Sequence, residues 1–92
     1  MQFTWNEAKR KSNLAKHGYD FADAHKVFAG TLVLTEDGRE DYGEQRMLAL
    51  GQLDAVIVMI VHVESDGTIR VISMRKATKD ETNDYYEKIS NS

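Results

Sequence analysis

The spacing of hydrophobic and polar positions follows a helical repeat at the start of the chain. Asn6 can cap a first helix over about residues 7–16, which Gly18 ends in a left-handed conformation. Asp20 can cap a second helix that ends at Gly30. The apolar residues of this second helix recur at helical spacing: Phe21, Ala24, Val27 and Phe28. Two short helices are therefore predicted at the front of the chain.

The apolar segments that follow have the composition of strands. They cover about residues 31–36, 46–53 and 55–63, and the last contains the run AVIVMIV, which is typical of a strand buried on both faces. Asp66-Gly67 then predicts a two-residue type I′ turn, because both residues accept a positive φ. A fourth strand follows this turn, so we expect four antiparallel strands.

The end of the chain carries a helix-start signal. Thr78 and Glu81 match the capping box, which predicts a last helix over about residues 79–89. The order of helix, helix, four antiparallel strands and helix indicates an α+β fold. We expect the helices to cover one face of a curved sheet and the other face to be open. With 92 residues, the chain is expected to form a single domain over residues 1–92.

The turn also sets a register for the hairpin. Counting outward from Asp66-Gly67 predicts four facing pairs: Ser65 with Thr68, Glu64 with Ile69, Val63 with Arg70 and His62 with Val71. Regular alternation then groups one face as His62, Glu64, Ser73 and Arg75, and the other as Arg70, Ile72 and Met74. On this count, the two arginines point to opposite faces.

Composition excludes several chemistries. The chain has no cysteine and no His or carboxylate cluster with the spacing of metal ligands, so neither a metal nor a cofactor is expected. The first residues do not have the pattern of a signal peptide, and no apolar run is long enough to span a membrane. A cytoplasmic protein without membrane contact is the expectation.

The charge distribution leaves room for an anion site. The formal net charge of −3 argues weakly against a protein that coats nucleic acid. Basic residues nevertheless form two clusters, namely Lys9, Arg10, Lys11, Lys16 and His17 near the start, and Arg70, Arg75, Lys76 and Lys79 near the end. Such asymmetry permits a local anion site on an acidic protein.

RNA cleavage without a metal needs side chains that exchange protons and side chains that carry a positive charge. One group takes the proton of the 2′-hydroxyl, cations stabilise the charge on phosphorus, and an acid protonates the leaving oxygen. Glu64 or a histidine can exchange protons, and Arg46, Arg70 and Arg75 can hold phosphate. The same residue types also have common structural roles. His62 could be a buried histidine of the core, and the lysines of the first helix could form a solvated face. Spacing alone does not decide between these interpretations.

The residues as a set resemble the BrnT toxin family. The pattern F-x-W-[DN]-x-x-K-x-x-x-N-x-x-K-H-G matches residues 3–18, and F-x-x-A-x-x-V-F matches residues 21–28. E-x-R matches Glu44 and Arg46, and I-R-[VI]-I-S-x-R-[KR]-A-T matches residues 69–78, with Glu81 and Tyr85 following. The resemblance covers nearly the whole chain.

This resemblance implies a RelE-like fold and the toxin of a bacterial type II toxin–antitoxin pair. Such a toxin acts as a ribonuclease that arrests growth by blocking translation. The implied partner is a BrnA-like antitoxin, a dimeric ribbon-helix-helix protein that neutralises the toxin and represses their shared operon. RNA is then the substrate, and DNA is contacted only through the antitoxin.

The family motifs and the predicted register together give site residues. We expect Glu64 or His62 to transfer protons, Arg46 and Arg75 to stabilise the phosphate, and Lys16 with His17 to form a second cationic group. The expected set is therefore His17, Arg46, His62, Glu64 and Arg75 for catalysis, and Lys9, Lys16 and Arg70 for RNA binding. Ser65 departs from the family, which commonly has Arg after the Glu of its H-x-E-R segment, so one phosphate donor is missing here.

Two other functions fit the same residues. A toxin of this fold can act on a protein target such as a topoisomerase, and a non-catalytic binding module is a third possibility that Ser65 mildly favours. RNA cleavage that Arg75→Ala abolishes would distinguish the ribonuclease from both.

Overall fold

The computed structural model describes residues 1–91 and confirms the α+β class. In chain order the elements are β1 (Gln2–Thr4), α1 (Glu7–His17), a 3₁₀ turn (Phe21–Asp23), α2 (Ala24–Phe28), β2 (Val33–Glu36), β3 (Met47–Leu53), β4 (Val56–Ser65), β5 (Thr68–Lys76) and α3 (Lys79–Ser90). The five strands form one mixed sheet in the order β1-β5-β4-β3-β2.

The helix-start and helix-stop signals are confirmed. The Asn6 side chain accepts a hydrogen bond from the Lys9 N–H at 3.0 Å, and Gly18 ends α1 at a φ of 79°. Both hydrogen bonds of the capping box are present at Thr78 and Glu81. The second helix is shorter than expected, because Asp20 caps a 3₁₀ turn that precedes the five residues of α2.

The four predicted antiparallel strands are present as β2 to β5, but β1 adds a fifth strand that pairs in parallel with β5. Phe3 lies opposite Ile69, and the flanking pairs are Gln2 with Thr68 and Thr4 with Arg70. Three residues are too few to show the period-two alternation of a strand. The partner strand also lies near the other end of the chain, so no local pattern signals this pairing.

The helices cover both faces of the sheet, which corrects the expectation that they share one. Phe21, Ala24 and Val27 pack with Ala49 and other residues on what we call the core face. Tyr85 of α3 packs in a separate cluster with Leu50, which follows Ala49 and so points to the opposite side. The reason is that β3 and β4 are apolar on both faces, and both therefore need cover.

The hairpin turn and the four pairs nearest to it are as predicted. Asp66 and Gly67 both have positive φ, at 52° and 77°. Ser65, Glu64, Val63 and His62 lie opposite Thr68, Ile69, Arg70 and Val71.

Beyond these pairs the register shifts by one residue. Val61 pairs with Ser73, so Ile72 has no partner in the ladder and forms a β-bulge. The bulge reverses the alternation, and the predicted grouping of faces is therefore wrong. Ser73 and Arg75 share a face with Val61 and Arg70, not with His62 and Glu64. We call this side the arginine face; it is opposite the core face, and α3 covers part of it.

Asn13 of α1 closes the outer edge of β5 where β1 has ended. Its side-chain amide donates to the Met74 carbonyl at 2.7 Å, and its oxygen accepts from the Met74 N–H at 3.1 Å. The side chain is buried, so both backbone groups of Met74 are satisfied as a neighbouring strand would satisfy them. This contact fixes α1 alongside β5 and next to the arginine face.

Candidate functional site

Four surface grooves follow the arginine face and its border with α1. The first, of about 550 Å³, and the second, of about 370 Å³, share Thr4 and Arg70. The second and the third, of about 220 Å³, share Lys9 and Ile72, and the third and the fourth, of about 300 Å³, share Ser73. Because neighbouring grooves share lining residues, we treat them as one continuous surface and call it the groove tract.

The groove tract gathers basic side chains from separate parts of the sequence. Lys9, Lys16 and His17 come from α1. Arg70 and Arg75 come from β5, where Arg70 lies between the turn and the bulge and Arg75 lies beyond the bulge. With Glu64, which lines the first groove, the structure thus brings together six of the eight predicted residues. The carboxylates that line the same tract are Glu44, Glu64 and Glu81.

Glu44 holds Arg70 in place. The Arg70 Nη2 lies 2.5 Å from a Glu44 oxygen, and this hydrogen bond is the main reason that the pKa of Glu44 is lowered. Arg46 approaches the other Glu44 oxygen at 3.7 Å, beyond hydrogen-bond distance, and its guanidinium carbon lies 3.9 Å from the centre of the Tyr42 ring. Arg46 is half-buried and lines none of the four grooves. Arg46 therefore lies next to the tract, behind Glu44.

Glu81 holds Arg75 with a fork of two hydrogen bonds. The two guanidinium nitrogens lie 2.8 and 2.9 Å from the two carboxylate oxygens. These bonds are the main cause that lowers the pKa of Glu81 to about 2, and they raise the pKa of Arg75. Glu81 also accepts from the Thr78 N–H at 2.8 Å. The start of α3 is thereby tied to the cation.

Sequence reasoning missed Arg39, which lines the fourth groove beside Arg75. Its Nε and Nη2 each lie 2.7 Å from an oxygen of Asp37, whose side chain is buried. This pairing is the main cause that lowers the pKa of Asp37 to about 2, and the Tyr42 hydroxyl donates to the same carboxylate at 3.4 Å. The segment has the composition of an ordinary polar connection, and nothing in its spacing signals a buried carboxylate.

His62 is not part of the groove tract. It lies on the core face with 2% of its surface exposed, and its ring meets the Phe28 ring edge-on at 5.0 Å between centroids. Burial is the main cause that lowers its pKa, which favours the neutral ring. The expected grouping of His62 with Arg75 is therefore wrong, and the alternation reversed by the bulge is the reason.

His17 and Glu64 are both exposed, and each lines the groove tract in a different part. His17 lies in the third groove with Lys16 and Ser73. Glu64 lies in the first groove with Arg70, next to Ser65, where the family commonly has Arg. Both side chains thus line the groove tract, whereas His62 does not.

Comparison with known families identifies this architecture. The family model described as "Ribonuclease toxin, BrnT, of type II toxin-antitoxin system" matches residues 5–81, which run from the end of β1 to the first turn of α3. A search of curated proteins finds no match. Within residues 1–91, no group of three or more His, Asp or Glu residues is arranged to hold a metal ion. In the same range, no helix has the length and apolar character needed to cross a membrane.

Proposed function

Since the chain belongs to the BrnT family of ribonuclease toxins of type II toxin–antitoxin systems, we propose that it cleaves RNA without a metal and blocks translation in the cytoplasm. Its partner is a BrnA-like ribbon-helix-helix antitoxin, and it contacts DNA only through that protein. The single observation that carries the RNA-cleaving part of this proposal is the groove tract, where cations from α1 and β5 line one continuous surface.

The groove tract suits an extended polyanion. Phosphates recur along an RNA strand, and a strand needs cations at more than one place to be held in register. Arg70 and Arg75 offer planar donor forks at two positions along the tract, and Lys9 and Lys16 add charges between them. Glu44 and Glu81 orient the two arginines before any substrate binds, which lowers the entropic cost of binding.

Cleavage proceeds by attack of the 2′-oxygen on the neighbouring phosphorus. A base takes the 2′-hydroxyl proton, the P–O5′ bond breaks, and an acid protonates the departing 5′-oxygen, which leaves a 2′,3′-cyclic phosphate. Arg70 and Arg75 stabilise the extra negative charge on the phosphoryl oxygens. His17 and Glu64 exchange the protons, since both are exposed on the tract whereas His62 is buried on the other face.

RNA cleavage by the purified chain in EDTA tests this proposal. We expect Arg75→Ala and His17→Ala each to lower the cleavage rate by about 100-fold or more, the usual loss for a transition-state cation or a general acid–base. Arg75→Lys keeps the charge and loses the fork, so it should recover only part of the activity. Lys11→Ala is the control, since Lys11 lies on α1 like His17 but lines none of the four grooves. It should cleave at the rate of the unmodified chain.

Several outcomes would overturn the proposal. Full cleavage by folded Arg75→Ala, His17→Ala and Glu64→Ala variants would place the site elsewhere, and inactivity in EDTA with recovery on adding a divalent metal would refute metal independence. Growth arrest with DNA damage and without RNA cleavage would favour a topoisomerase-directed toxin. Harmless overexpression with intact partner binding would favour a non-catalytic module.

A further inference from the structure

The open edge of β2 lies at the end of the sheet away from β1. β2 is the last strand of the sheet and pairs with β3 alone. The Asp37 N–H donates to the Arg46 carbonyl, which extends this pairing by one residue. In an antiparallel ladder, alternate residues turn their backbone groups to the partner, so those of Leu34 and Glu36 point outward. These N–H and C=O groups can accept another strand.

A groove with an exposed leucine adjoins this edge on the core face. Leu34 is 51% exposed although it is a large hydrophobic residue in a strand. With Met47, His62 and Gln45 it lines a groove of about 410 Å³. An exposed apolar side chain beside unpaired strand backbone is a feature that isolated proteins usually avoid.

The rim of this groove is acidic. Glu64 and Asp66 line the groove, and Glu36 lies opposite Met47 on the same face. Within residues 1–91, none of these three carboxylates forms an ion pair. RNA would be repelled here, and a second copy of this chain would bring the same negative charges to the contact.

We propose that the β2 edge and its groove bind an extended segment of the antitoxin in which an apolar residue is flanked by Lys or Arg. The segment adds a strand to β2, its apolar side chain enters the groove beside Leu34, and its basic side chains pair with the acidic rim. This inference depends on the antitoxin partner of the proposed function but not on the RNA chemistry. The segment thus binds beside the groove tract, because its groove shares Gln45 and Glu64 with the first groove of that tract.

Titration of the purified antitoxin into matched variants tests this surface. Leu34→Arg places a cation where the basic segment must bind, and we expect at least tenfold weaker binding by calorimetry. Leu14→Arg is the control, since Leu14 is the other exposed leucine within a regular element and lies on α1, away from β2. It should bind the antitoxin as the unmodified chain does. Both variants should retain RNA cleavage and the same unfolding midpoint.

Charge reversal and amide exchange give independent readouts. Glu36→Lys should weaken antitoxin binding severalfold at low salt and less at high salt, because the attraction is electrostatic. In the complex, hydrogen exchange of the Leu34 and Glu36 amides should slow. Unchanged affinity of Leu34→Arg, or protection confined to the groove tract, would overturn the proposal. So would a dimer of the free chain that Leu34→Arg dissolves, because the occupant would then be a second copy.

Failure of the two proposals would look different. If the chain never cleaves RNA but Leu34→Arg still loses the antitoxin, the RNA chemistry is wrong and the docking surface stands. If Arg75→Ala abolishes cleavage while Leu34→Arg binds normally, the reverse holds.

Discussion

Polar side chains from one hairpin are buried on one face of the sheet and reach the surface on the other. On the core face, His62 is buried against Phe28 and its neutral form is favoured. On the arginine face, Arg70 and Arg75 reach the surface, each held by a carboxylate. The bulge at Ile72 produces this separation, because in an uninterrupted alternation that included Ile72, Arg75 would fall on the side of His62. By leaving one residue out of the ladder, the bulge keeps Arg70 and Arg75 on the same face.

Deleting Ile72 tests whether the bulge sets the faces. Val71 and Ser73 would become neighbours, and the ladder would be regular with His62 still opposite Val71 and Val61 still opposite Ser73. Met74 therefore stays in the core and Arg75 on the arginine face, so we expect a cooperative unfolding transition in urea. The cost comes from the lost half-buried Ile72 side chain and should stay below about 5 kcal/mol.

Ile72→Val is the matched control for this deletion. It keeps the bulge and removes one methylene group from a half-buried side chain, so the loss should be within about 1.5 kcal/mol. A deletion variant without a cooperative transition would contradict this account, because the pairs on both sides of Ile72 would then not be preserved.

The largest effect of a single substitution is expected at Asn13. Asn13→Leu leaves the buried N–H and C=O of Met74 without partners, at about 1–3 kcal/mol for each group. Asn13→Asp puts a carboxylate oxygen, charged at neutral pH, against the Met74 and Tyr19 carbonyl oxygens, so it should cost at least as much as the leucine variant. Urea denaturation measures both, and equal stability of Asn13→Leu and the unmodified chain would contradict this account of the edge.

His62 gives the smallest effect, as a pH dependence of stability. Its folded-state pKa lies below the ordinary 6.5, so the unfolded chain binds the proton more readily. Its contribution is fully present above pH 6.5 and declines as the pH falls toward the folded-state pKa. The slope is at most about 1.4 kcal/mol per pH unit for one proton.

The comparison that isolates this slope is between the unmodified chain and His62→Asn. Unfolding free energies between pH 7.5 and 5.5 should converge as the pH falls, since the variant lacks the titrating ring. The carboxylates whose pKa is about 2, such as Asp37 and Glu81, lose their contributions at lower pH, so the two windows are separable. Parallel pH profiles would show that His62 is not the group responsible.

The local features of the fold could be predicted because their causes are local. Asn6, Gly18, Thr78 and the Asp66-Gly67 turn each act on backbone within four residues, and each is confirmed. The pairing of β1 with β5 and the position of α3 depend on contacts between distant parts of the chain, and no local pattern records them.

The site was predicted by residue type better than by geometry. The family motifs selected Arg70, Arg75 and His17, all of which line the groove tract. The predicted grouping of hairpin residues by face is wrong beyond Ile72, because no residue type marks the position of this bulge in the sequence. Arg39 was missed since its role depends on Asp37 being buried, which is a consequence of folding.

The Asn13 side chain also affects how readily this protein aggregates at high concentration. Exposed strand edges pair with other chains and seed aggregation, and β1 shields only the first three residues of β5. By occupying both backbone groups of Met74, Asn13 denies that position to any incoming strand. A strand from another chain therefore cannot pair at Met74, whereas the edge of β2 stays available. Of these two positions, strands can add to the sheet only on the β2 side.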